Sequence, residues 1–69
     1  MPLTMAKIGE ENSIKKVGGK EVTRRFLENL GFIAGSKIVV ISALNGNLIV
    51  NIKDSRIALN KDMAKAIMI

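Results

Sequence analysis

The stretch that most constrains this chain is residues 37–59, KIVVISALNGNLIVNIKDSRIAL, with Asn45-Gly46 near its middle. It is rich in Ile and Val, whose branched side chains suit a pleated, half-buried surface. Asn-Gly supplies the positive φ angles that a tight hairpin turn requires. The pattern predicts a strand, a turn and a second strand, with residues 55–59 returning as a third. What precedes and follows reads as material that closes a small barrel around this hairpin.

The register of the hairpin has two solutions. A two-residue Asn45-Gly46 loop pairs Val39, Ile41 and Ala43 with Ile52, Val50 and Leu48. A three-residue loop, Leu44-Asn45-Gly46, pairs Ile38, Val40 and Ser42 with those same partners. The second strand sets its own orientation: Leu48, Val50 and Ile52 face in, while Asn47, Asn51 and Lys53 face out. The first strand is apolar on both faces. Either register leaves aliphatics from residues 38–41 on the outer face, with Ile49 across from them.

The flanks carry further elements. Leu3 and Met5 are candidates to dock on the core, and residues 7–10 read as a turn. Residues 12–17 read as one strand with Ile14 inward, ended by Gly18-Gly19. Residues 21–30 are the clearest helix. Val22, Phe26 and Leu30 recur every four residues, with Leu27 beside them. Phe26 and Phe32 read as core or cap residues. Gly31 sits where a left-handed cap belongs, and Phe32 where the contact residue of a Schellman motif belongs. Asp54-Ser55 reads as a turn. Asn60 reads as the N-cap of a short helix over residues 61–66, with Asp62 in its first turn. Residues 67–69 form an apolar, strand-like end. The expected fold is mostly β, a single domain over residues 1–69 with two short helices.

The composition bounds the chemistry. At 69 residues the chain is near the lower size limit for folding alone. It has no Cys and no His, so disulfides are impossible and structural zinc ligands are missing. Stability has to come from apolar burial, at roughly 1.5–3 kcal/mol per fully buried large aliphatic. No catalytic constellation is visible: the serines have no candidate base beside them in sequence. Lys20 after Gly18-Gly19 lacks the spacing of a phosphate loop. Glu10, Glu11, Glu21, Glu28, Asp54 and Asp62 are the only hard metal ligands, and no pair has chelating helical spacing. The expectation is no enzyme, no cofactor and no tight metal site.

The net charge is +5, which permits an acidic protein, a nucleic acid or an anionic membrane as partner. Lys15, Lys16, Lys20, Arg24 and Arg25 lie close in sequence and read first as a solvated face. Single-strand readers offer stacking aromatics, and only Phe26 and Phe32 exist, so nucleic-acid binding is the second reading. Arg56 reads as a structural anchor for Asp54 or Glu28. No signal peptide is expected, since residues 1–7 lack a long apolar run, and no spanning helix, since the longest aliphatic run, residues 38–41, is far short of about 20 residues. The outer hairpin face is the remaining feature. Val39, Ile41 and Ile49 form either a partner surface or a patch covered by the N-terminal segment or a short helix.

The order of motifs resembles the FeoA family. It runs Pro2-Leu3, Ile8-Gly9, a strand, then Arg25-Phe26-Leu27-Glu28-Asn29-Leu30-Gly31-Phe32-Ile33-Ala34-Gly35-Ser36-Lys37-Ile38. Ser55-Arg56-Ile57-Ala58-Leu59 follows, then Ala64 and Ile67-Met68-Ile69. The match spans essentially the whole chain. Each motif alone is weak, and their joint order and spacing carry the resemblance. Ala34 departs from it, standing where the family has proline, and the hairpin loop is short and lacks the common proline.

The resemblance implies a small SH3-like β-barrel with one short helix between the first strands and a second near the C-terminus, a fold shared with the C-terminal domain of DtxR-type repressors. It implies a non-enzymatic cytoplasmic role beside the FeoB-type ferrous iron permease, with transition-metal binding as a family-level property. On that reading Val39, Ile41 and Ile49 supply apolar contact. Lys15, Lys16, Arg24 and Arg25 steer toward an acidic partner. The chain itself is a monomer or weak homo-oligomer without membrane insertion. The alternatives are a basic SH3-like module for nucleic acid and a stand-alone, self-associating regulatory domain.

Overall fold

The computed structural model describes residues 1–69. A 3-10 turn, Leu3–Met5, leads into strands β1 (Glu11–Ser13) and β2 (Lys16–Val17). Helix α1 (Glu21–Asn29) follows, then β3 (Lys37–Leu44), β4 (Asn47–Ile52) and β5 (Ser55–Leu59). Helix α2 (Lys61–Ala66) and β6 (Ile67–Met68) complete the chain. The strands form a four-stranded antiparallel sheet in the order β1-β3-β4-β5, and β2 pairs with β6 in a separate two-stranded sheet.

The hairpin uses both registers. Beside the turn, Ala43 opposes Leu48 and Leu44 opposes Asn47, as a two-residue loop dictates. The pairing then shifts between Val40 and Ser42, and beyond the shift Val40 opposes Val50 and Ile38 opposes Ile52. Ile41 is the extra residue of a β-bulge. The bulge keeps the Asn45-Gly46 turn, with φ of 53° and 84°, and still sends Ile38 and Val40 into the core.

The expected strand over residues 12–17 is two strands. Ile14 is buried between them. Its N–H donates to the Ser36 carbonyl, and the next N–H, that of Lys15, donates to the Met68 carbonyl. The chain changes sheets at that point, which closes the barrel. The turn before β5 is Lys53-Asp54 rather than Asp54-Ser55. Both residues have positive φ, 49° and 63°, a primed turn built without glycine.

Helix α1 ends in a Schellman motif. The Phe32 N–H donates to the Leu27 carbonyl at 3.0 Å and the Gly31 N–H to the Glu28 carbonyl at 3.0 Å. Gly31 takes φ 106°, which a side chain would resist. Phe32 and Leu27 are both fully buried. Phe26, expected as a core or cap residue, is not in the core: it is 48% exposed, and Val22 on the same stripe is 80% exposed. Leu27 alone anchors the helix inward, and Thr23, one turn before it, is half-buried. In α2 the Asn60 side chain accepts from the Met63 N–H at 2.9 Å, the expected N-cap.

All fourteen buried residues are hydrophobic. They join the inner face of the sheet to Leu3, Ile14, Leu27, Phe32, Ala64, Ala66, Ile67 and Ile69 in one cluster. Met5, expected beside Leu3, is exposed instead: in the 3-10 turn the two side chains point to different sides.

Three variants test this packing and the β4–β5 turn by urea unfolding. Leu27→Ala loses about 2–5 kcal/mol, as core truncations do, whereas Val22→Ala, at the exposed stripe, stays within about 0.5 kcal/mol. Asp54→Gly gains about 0.5 kcal/mol, because relief of the positive φ outweighs the added unfolded-state entropy.

Candidate functional site

An interior with no buried polar or charged residue confines function to the surface. No three Asp, Glu, His or Cys side chains lie close enough to hold a metal ion. The donor set is carboxylate only and dispersed, which does not fit a structural zinc site.

The outer face of the large sheet holds the hairpin residues singled out above. In the ladder Val39 lies between Glu11 and Asn51, and Ile49 between Ser42 and Ala58. Val39, Ile49 and the bulge residue Ile41 are all half-buried. Polar and small neighbours separate Val39 from Ile49, so the face carries apolar spots rather than a continuous patch. Neither the N-terminal turn nor α2 covers it, since Leu3, Ala64 and Ala66 enter the core from the other side. At its hairpin end the face has an open depression of about 350 Å³, lined by Ser42, Leu44, Asn45, Asn47, Ile49 and Ala58.

Helix α1 carries the larger apolar surface. Val22, Phe26 and Leu30 stand at successive four-residue steps, and all three are exposed, as is Ile33 just beyond the cap. The sequence pattern marks this stripe, with Phe26 read as a core or cap residue. The signal that could have placed it outside lies in the cap. A Schellman motif joins the residue after the glycine to the one four before it. Phe32 therefore selects Leu27 as the inward residue, and Phe26 lies about 100° away on the wheel.

Cations lie beside this stripe. α1 packs on β2, which brings Lys15 and Lys16 to the same region as Lys20, Arg24 and Arg25. All five are exposed. Arg25 Nη2 pairs with Glu21 Oε1 at 2.7 Å, one helical turn back. This is the sole ion pair in the protein, so Lys15, Lys16, Lys20 and Arg24 have no acidic partner. Arg56 does not anchor Asp54 or Glu28 either. It is exposed in β5, opposite Asn51.

Comparison with known proteins places this geometry. The FeoA domain model matches residues 1–69. A candidate Fe(2+) transport protein A from Methanocaldococcus jannaschii is 38% identical over 68 residues, covering 99% of this chain and 83% of the relative. The solved structure of Stenotrophomonas maltophilia FeoA, complexed with zinc and described as a prokaryotic SH3 domain protein, superposes with a TM-score of 0.87 at 22% identity. That match covers 99% of this chain and 87% of the other. A manganese-dependent transcriptional repressor superposes with a TM-score of 0.88 at 18% identity, over 97% of this chain and 39% of the repressor. At such identities the two structures speak for the fold, a small SH3-like barrel. The match over the full length of the chain and the archaeal relative's identity go further: the chain belongs to the FeoA family.

Proposed function

We propose that this protein is a non-enzymatic accessory of ferrous iron transport that docks on the cytoplasmic portion of a FeoB-type permease. Family membership supports the transport setting, as does the name of the archaeal relative. The Stenotrophomonas protein's description as a candidate ferrous iron transport activating factor points the same way. The observation that carries a binding role is the exposed Val22-Phe26-Leu30 stripe beside four unpaired cations. An apolar patch with a charged rim is a docking surface. Lys15, Lys16 and Arg24, with Arg25 at the margin, speed encounter with an acidic face, and the aliphatic and aromatic contact then holds it. Val39, Ile41 and Ile49, half-buried and divided by polar residues, offer less area for the same task.

Calorimetry with the permease's cytoplasmic domain separates the surfaces. Phe26→Asp weakens binding by at least about tenfold, the loss expected of a central aromatic anchor, while Ile49→Asp leaves it nearly unchanged. The reverse pattern assigns the hairpin face. Equal binding by both variants and wild type removes both surfaces, and absence of binding by wild type removes the permease as partner.

The exposed Phe26 among cations also suits single-stranded nucleic acid, where a base would stack on the ring. Fluorescence titration with short DNA and RNA oligomers at low salt is expected to show no saturable binding. A steep loss of affinity with added salt, from counterion release, would establish this second reading instead.

A further inference from the structure

We propose that the protein self-associates by antiparallel pairing of β5 with β5 of a second copy. β5 is the last strand of the four-stranded sheet. The two-residue Lys53-Asp54 turn makes Ile52 and Ser55 a hydrogen-bonded pair, and such pairs alternate along an antiparallel ladder. Ser55, Ile57 and Leu59 therefore direct their main chain toward β4. Arg56 and Ala58 direct theirs away from the sheet. No loop backbone or side chain bonds these outward groups, and both residues are exposed. Free N–H and C=O groups along an edge are a template for another strand. β5 has no proline, no bulge and no inward charge to blunt the edge; its one charge, Arg56, lies on the outer face. The opposite edge strand, β1, is only three residues long.

What selects a second copy is the self-complementarity of this edge. A two-fold axis through Ile57 sets Arg56 opposite Ala58 of the second copy, and Ala58 opposite its Arg56. Each pair joins outward main chain to outward main chain, so each exchanges both of its hydrogen bonds. An axis through Arg56 would make one such pair and set two guanidinium groups face to face. An axis through Ala58 would also make one.

The side chains follow the same register. Ile57 is half-buried on the inner face, opposite no residue on its free side, and the axis sets it against its own copy. On the outer face Ala58 borders the depression with Ile49 and Leu44. Its small side chain leaves room for the methylene stem of the second Arg56 to lie on that apolar floor. The two sheets then run on as one, closed by a C2 axis.

Sedimentation equilibrium from micromolar to millimolar protein tests this. Wild type shows a reversible monomer–dimer equilibrium that strengthens with salt up to about 0.3 M, as repulsion between two basic copies is screened. Ala58→Arg sets two like-charge pairs across the axis and lowers the association constant by about tenfold. Arg56→Glu added to Ala58→Arg turns both pairs attractive and brings the constant back to within about threefold of wild type. Ala58→Pro removes an outward N–H without touching the β4 ladder and also weakens association, with circular dichroism verifying the fold of each variant. A wild type that stays monomeric overturns the proposal. So do Ala58→Arg and Ala58→Pro proteins that dimerise as tightly as wild type, or a double variant that fails to recover.

Discussion

An antiparallel ladder alternates faces with every residue, and β3 is apolar on both faces. That combination is the constraint on which the barrel depends. The Asn45-Gly46 turn fixes one register, and under it alone Ile38 and Val40 would lie on the outer face. The core needs them inside, against Val50 and Ile52. A single extra residue at Ile41 satisfies both demands, at the cost of one interrupted stretch of ladder. Bulges also bend and coil the strand that carries them, which suits a sheet that must curl around a small core. The apolar excess on β3 is thus partly a consequence of the fold. Ile41 is the residue that absorbs the mismatch, and Val39 is the remainder.

The second constraint is at the end of α1. Gly31 reverses the chain, and Phe32 and Leu27 meet beneath the turn. Everything else about the helix follows from that contact. With Leu27 pointing in, Val22, Phe26 and Leu30 point away from the barrel. A core of fourteen residues, which already takes Ala64 and Ala66 from α2, holds one residue of α1, Leu27, and not a whole stripe. The helix is therefore held at one point and presents an apolar face to solvent, with cations on the strand and loop that lead into it.

These two constraints divide the surface into regions with different capacities. The α1 side combines apolar area and unpaired positive charge, which suits an acidic partner with an apolar contact. The outer sheet face is mixed and half-buried, and its free feature is main chain at the β5 edge. The two regions use different physics, side-chain burial with electrostatic steering in one and backbone hydrogen bonding in the other. Loss of one surface therefore leaves the other intact.

The sequence by itself determined much of the local structure, though not the Lys53-Asp54 turn. Asn45-Gly46 set a turn, Gly31 and Asn60 set helix ends, and the alternation of Leu48, Val50 and Ile52 oriented β4. Each of these rests on contacts within a few residues, so the information is local. The ordered motifs also carried the family and the barrel. The tertiary structure decided what depends on the space available. It chose between the two hairpin registers by using both, and split residues 12–17 between two sheets so that the barrel could close. It also left Phe26 exposed while Phe32 was buried, and Arg56 free of the acids expected to hold it. A periodic stripe states that a helix has an apolar face, but only the volume of the core decides whether that face is filled. That is why the helix offers a candidate surface beside the hairpin, where the sequence had located its surplus of aliphatics.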